Sequence, residues 1–362
     1  MNFTNDFSLI KTVKSKEYFV GMNTGHGFVG KYGEIANEKE LNRLYIIKGA
    51  SGTGKSTLMR SCAEECERKG HSVTYYLCSS DPDSFDCVVI NGKVAIADGT
   101  SPHVLEMTYP GAASEIIDVT AFWNPTSLRQ NRDEIIRITE EKKRAFADGY
   151  SLLSDVSSLA VERYNSSVRA ILLDKLDKYT SRFVASLGKA KGSGKRSEAI
   201  VRSVGMKGCS RLDTLKKLAE RIICVNDSYA SVYHFMDMLA GKLTKGGFDI
   251  VISPDPITPS LVCDIYIPQI KMLITSDECE SFEKRINMSR FIDNKCLNDT
   301  RGLMRLSIKC SEALLAEAVN MFSLGGKAHF MLEKFYSGAM DFESLGKYTE
   351  KLIKDLSELL KD

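Results

Sequence analysis

The segment Gly49-Ala50-Ser51-Gly52-Thr53-Gly54-Lys55-Ser56-Thr57 fits G-x-x-x-x-G-K-[ST] at every defined position. No other feature constrains the fold as much, because such a loop works only between a strand and a helix. Glycines let consecutive backbone N–H groups curl around an anion, and the helix N-terminus adds partial positive charge. The flanking residues supply both elements. Leu44-Tyr45-Ile46-Ile47 is a short buried-strand run, and Leu58, Cys62 and Cys66 then recur on one helical face. Gly70, behind Arg68-Lys69, is a helix stop. In this pattern Lys55 is expected to reach the β- and γ-phosphates of a nucleotide, and Ser56 to ligate Mg2+.

A magnesium shell needs a carboxylate as well. Val94-Ala95-Ile96-Ala97-Asp98 reads as an apolar strand ending in an acid, so Asp98 is the candidate second ligand. Asn91-Gly92 suits a tight turn after the apolar run Cys87-Val88-Val89-Ile90. Gly99, not a glutamate, follows Asp98, so the usual general base does not stand there. His103 is a candidate polar group just beyond.

The second half repeats the first. Gly70-His71-Ser72-Val73 corresponds to Gly247-Phe248-Asp249-Ile250, and Asp81-Pro82 to Asp255-Pro256. Leu176-Asp177-Lys178-Tyr179-Thr180 matches Leu345-Gly346-Lys347-Tyr348-Thr349. The copies differ at the chemistry. Opposite Gly49 through Ser56 stand Asn226-Asp227-Ser228-Tyr229-Ala230-Ser231-Val232-Tyr233, without glycine or lysine, and Thr275 or Ser276 takes the place of Asp98. Asp81 is shared by both copies and therefore reads as a turn former. Gly192-Ser193-Gly194-Lys195-Arg196-Ser197 only mimics a phosphate loop, because no strand precedes it.

These patterns predict tandem P-loop NTPase-like α/β domains over 1–190 and 191–362. Each is expected to be a three-layer αβα unit with a mainly parallel sheet, followed by a helical segment packed on its own core. The helical segments run from about Ser127 to Leu187 and from about Asp299 onward. The segment from Arg182 to Arg211 carries cations and one acid, Glu198, and reads as a solvated linker that could touch nucleic acid.

Composition narrows the classes. With 49 basic and 47 acidic residues the net charge is +2, which excludes a globally basic nucleic-acid binder. No apolar run approaches the roughly 20 residues of a membrane helix. Met1 through Asp6 show no secretion signal, and the ten cysteines include no Cys-x-x-Cys pair. A cytoplasmic location is expected.

Gly21-Met22-Asn23-Thr24, the phosphate loop, Cys78-Ser79-Ser80-Asp81 and Asp98-Gly99-Thr100-Ser101-Pro102-His103 together resemble a bacterial family of duplicated P-loop ATPases. The resemblance implies nucleotide binding and a tandem α/β architecture, and it covers nearly the whole chain. It also implies a loop in each half, from which this chain departs in the second. The leading expectation is a Mg2+-dependent nucleoside triphosphatase using ATP, with one competent site. A P-loop kinase is the alternative, with His103 or Asp83 facing an acceptor hydroxyl. A nucleotide-gated module that holds a protein partner is the third.

Overall fold

The computed structural model describes residues 16–101, 104–190, 192–227 and 229–361; His103 lies outside them. The first half runs β1 (Lys16–Phe19), β2 (Gly21–Thr24), β3 (Gly27–Gly30), α1 (Tyr32–Ile35), β4 (Arg43–Lys48) and α2 (Lys55–Arg68). It continues with β5 (Val73–Leu77), β6 (Phe85–Ile90), β7 (Val94–Asp98), β8 (Ser114–Asp118), α3 (Pro125–Gln130), α4 (Arg132–Ser167) and α5 (Leu173–Ser186). The second half opens with β9 (Arg196–Glu198), β10 (Arg202–Gly205), β11 (Gly208–Arg211), α6 (Thr214–Leu218), β12 (Arg221–Asn226) and α7 (Ser231–Lys245). Then follow β13 (Ile250–Pro254), β14 (Val262–Ile267), β15 (Met272–Thr275), β16 (Lys284–Asn287), α8 (Asn294–Asn298), α9 (Arg301–Gly338) and α10 (Phe342–Leu359).

The repeat is complete at the level of topology. One six-stranded sheet has the order β1-β5-β6-β7-β4-β8, and the other has β9-β13-β14-β15-β12-β16 when read from its corresponding edge. Both are mainly parallel; β6 and β14 run antiparallel to their neighbours. Asn91 and Gly92 take φ of 52° and 66° where β6 turns into β7, as the tight turn requires. The basic segment is not a free linker. It forms β9 through β11, where Arg202 pairs with Asp264 and Arg211 with Asp277.

The layers differ from the three-layer expectation. Strand residues alternate between two buried faces, as in sheets covered on both sides. Tyr45 and Ile47 face α2, whereas Leu44 and Ile46 join one core with Val251, Tyr266 and Leu273 of the other sheet. The inner faces, together with the short helices α1 and α6, therefore share a core, while α2 and α7 cover the outer faces.

The helical segments also depart from expectation, because each packs on the opposite half. Leu345, Leu352 and Leu356 of α10 join the core of α2 and the first sheet. Leu176 and Phe183 of α5 join the core of α7 and the second. The apolar stripe of α10 lies on the apolar outer face of the first sheet. The long helices α4 and α9 lie antiparallel between these exchanges. Each offers a glycine to a phenylalanine of the other, Gly149 to Phe322 and Gly325 to Phe146, so the backbones approach closely. The hairpins cross over as well: Met206 N–H donates to Ser80 O (2.9 Å), and Gly25 N–H to Ile257 O (3.2 Å).

Candidate functional site

The loop 49–54 leaves β4 and enters α2 with Gly52 at φ 71° and Gly54 at φ 84°. Both values lie in the left-handed region, where a side chain costs roughly 1–2 kcal/mol. At Gly52 the need is also steric, since a Cβ would stand 2.9 Å from the backbone oxygen of Glu333. Gly49, Ala50, Ser51, Gly52, Gly54, Lys55 and Ser56 are partly exposed, Thr53 is buried and Thr57 is exposed. Thr53 Oγ1 donates to Ala50 O at 2.8 Å and tightens the turn from within.

The sheet brings Asp98 to this loop. β4 and β7 are parallel neighbours with Ile47 opposite Asp98, so the acid ends its strand beside the loop. Lys55 Nζ lies 3.5 Å from Asp98 Oδ2, with the two side chains 11% and 13% exposed. The same ammonium donates to Ala50 O at 2.5 Å. Asp98 Oδ1 accepts from Thr100 N–H (2.8 Å), and Ser56 Oγ accepts from Phe85 N–H (3.0 Å). These bonds orient oxygen atoms around Lys55 without consuming both carboxylate oxygens.

Several residues here carry little or no sequence signal. Asp86 follows Phe85 on β6 and is buried. Burial, and then the neighbouring Asp98, push its carboxyl well above the usual range, while a Cys78 thiol bond and Lys55 oppose the shift. Lys48, the last residue of β4, donates to Gly99 O and Leu105 O (3.1 and 2.9 Å) and so ties down the chain beyond Asp98. From the long helices, His329 Nδ1 lies 3.2 Å from Ser51 Oγ and 2.9 Å from Lys142 Nζ. Leu345 and Phe342 of α10 close over Gly54. A motif scan reads neighbours along the chain, and these residues arrive from far away in sequence. The weak signal for Asp86 is an acid at the start of an apolar strand.

Asp83 does not face the loop. It is an exposed residue paired with Lys207, which also holds Asp81 at 2.7 Å.

The corresponding place in the second half is built differently. Only 227–230 separate β12 from α7, two residues fewer than in the first loop. Ala230 precedes the helix at φ 65°, repeating the conformation of Gly54. Asp227 fills the turn: its carboxylate accepts from Ala230 N–H (2.9 Å) and Val232 N–H (3.0 Å). A chain carboxylate thus takes the amides that an external anion would need. The register places Cys263 where β6 has Asp86, and Ser276 where β7 ends in Asp98. Over α7, Tyr164 stacks on His234 with ring centroids 3.9 Å apart. The Gly192–Ser197 lookalike wraps a carboxylate too, since Asp249 accepts from Ser193 N–H and Lys195 N–H, and it leads into β9, not a helix.

Residues 29–88 match the family model described as Nephrocystin 3, N-terminal. The matched stretch runs from β3 into β6 and contains β4, the glycine-rich loop and α2. It spans a minor part of the chain, so the likeness belongs to that segment. No curated protein and no solved structure matches the chain. No helix among the described residues is long and apolar enough to cross a membrane.

Proposed function

We propose that the chain is a Mg2+-dependent P-loop nucleoside triphosphatase, with ATP as its nucleotide, working at one site in the first half. The observation that carries this reading is Lys55 at the head of α2, 3.5 Å from Asp98, under a loop opened by Gly52 and Gly54. The motif resemblance to duplicated P-loop ATPases supports it, and the second half serves as the structural support of the competent one.

The donor set suits magnesium. Ser56 Oγ and Asp98 are hard oxygen ligands, as Mg2+ prefers, and the ion commonly uses one or two protein ligands beside phosphates. Bound Mg2+ neutralises charge on the phosphate oxygens. Lys55 exchanges the Ala50 carbonyl for the terminal phosphates, and the loop amides receive the charge that develops during transfer.

Phosphate release from Mg-ATP, measured for the wild type and Lys55→Ala without added acceptor, tests the reading. Loss of a charged donor at the reacting group lowers turnover about 100-fold or more. Equal release by both proteins overturns the reading, and so does silence from both.

A further inference from the structure

We infer that Lys142 of α4, held by His329 of α9, is a second phosphate-binding cation that selects a nucleoside triphosphate over a diphosphate. This rests on the nucleotide reading above and adds to it the residue that senses the terminal phosphoryl group.

Lys142 is half-buried and donates to His329 Nδ1 at 2.9 Å, and the same imidazole nitrogen lies 3.2 Å from Ser51 Oγ in the loop. An ammonium only donates, so Nδ1 accepts, and the ring carries its proton on Nε2. That nitrogen faces Glu333 Oε1 at 3.4 Å. The imidazole is therefore a fixed bracket that aims a cation at the loop. Burial lowers the pKa of Lys142; Cys78 and Glu333 oppose the shift, and Lys55 adds to it, which sets the two ammonium groups within electrostatic range of each other. Among the described residues no carboxylate forms an ion pair with Lys142. Asp98 already offsets the charge of Lys55, whereas Lys142 feels Glu333 only at longer range, so a further anion between the two ammonium groups is favourable. The γ-phosphoryl group, which lies within reach of Lys55 as well, meets that condition, and a diphosphate lacks it. A cation brought to a phosphate loop from another element also stabilises transferring charge.

The second half gives an independent contrast. The offset of 169 that relates 119–122 to 288–291 also relates Leu176 to Leu345. It puts Ser311 and Ala160 in the places of Lys142 and His329. Where Asp227 has taken the loop amides, the lysine and its histidine bracket are replaced, and Arg163 of α4 instead donates to Ser311 Oγ at 2.7 Å.

Affinities for ADP and for a non-hydrolysable ATP analogue, each with Mg2+, would be measured by calorimetry for wild type, Lys142→Gln, Lys142→Arg and His329→Leu. A charge-assisted contact of ordinary strength predicts that Lys142→Gln weakens the analogue about 10- to 100-fold and leaves ADP unchanged. Lys142→Arg should restore much of the difference, and His329→Leu should lose part of it. An unchanged analogue-to-ADP ratio in Lys142→Gln overturns the inference and leaves the nucleotide reading standing. Equal weakening of both ligands also overturns it, since that marks a structural role. If the wild type binds neither ligand, the nucleotide reading itself falls.

Discussion

At the head of α2 the chain closes on a lysine; at the head of α7 it closes on its own carboxylate. Both loops place a left-handed residue immediately before the helix, Gly54 in one and Ala230 in the other. The difference lies in what satisfies the first helical amides. Asp227 does so internally in the second loop, while the first loop has Lys55 and Asp98 beside its amides. A duplicated loop can therefore lose two residues, keep a left-handed residue before its helix, and close that helix with its own carboxylate. The exchanged helices hold both versions in place, so neither half is a free-standing unit.

The largest effect expected on that comparison comes from the paired leucines of the exchanged helices. Leu176→Ala and Leu345→Ala each empty a buried site and should cost about 2–5 kcal/mol. Urea unfolding followed by the fluorescence of Trp123 in the first half should fall in one transition with either variant. Only Leu345→Ala, which opens space over Gly54, should also weaken nucleotide binding. A first half whose unfolding ignores Leu345→Ala would break the picture of mutual support.

Asp227→Ala removes the carboxylate that caps α7 and should cost about 0.5–2 kcal/mol by denaturant midpoint. Nucleotide affinity should not change, because the glycine-rich loop lies in the other half. Ala230→Gly relieves a left-handed alanine and should stabilise by about 0.5–1 kcal/mol, read as a higher Tm. A lower Tm would mean that the alanine methyl contributes packing that outweighs its backbone strain.

The smallest effect concerns Asp86. Its carboxyl is held well above the ordinary value of 3.8, chiefly by burial, so the folded chain keeps a proton that the unfolded chain releases. Its contribution is complete below about pH 4 and is lost as pH rises through the folded pKa. Asp86→Asn should flatten that decline in a nucleotide-free stability-versus-pH series. An unaltered slope would show that another group sets it.

Much of the local architecture was legible in the residues. The run Leu44–Ile47, the glycines and the Leu58/Cys62/Cys66 face specify strand, loop and helix because each depends on neighbours a few residues apart. The repeat was legible too, since colinear matches survive where single positions drift. The layering was not. Leu44 and Ile46 read as buried, but hydrophobicity does not say whether a helix or a second sheet covers them. Nor does the stripe on α10 say which sheet receives it.

By itself, then, the sequence determined that strand, glycine loop and helix follow one another, that this unit was duplicated, and that Lys55 stands in one copy only. Those are properties of backbone conformation and short-range periodicity. Only the tertiary structure decided that α5 and α10 change places, that the two sheets share a core, and that Lys142 and His329 meet over Ser51. Contacts between residues 187 positions apart along the chain follow from which apolar faces find each other, and no local pattern encodes that choice.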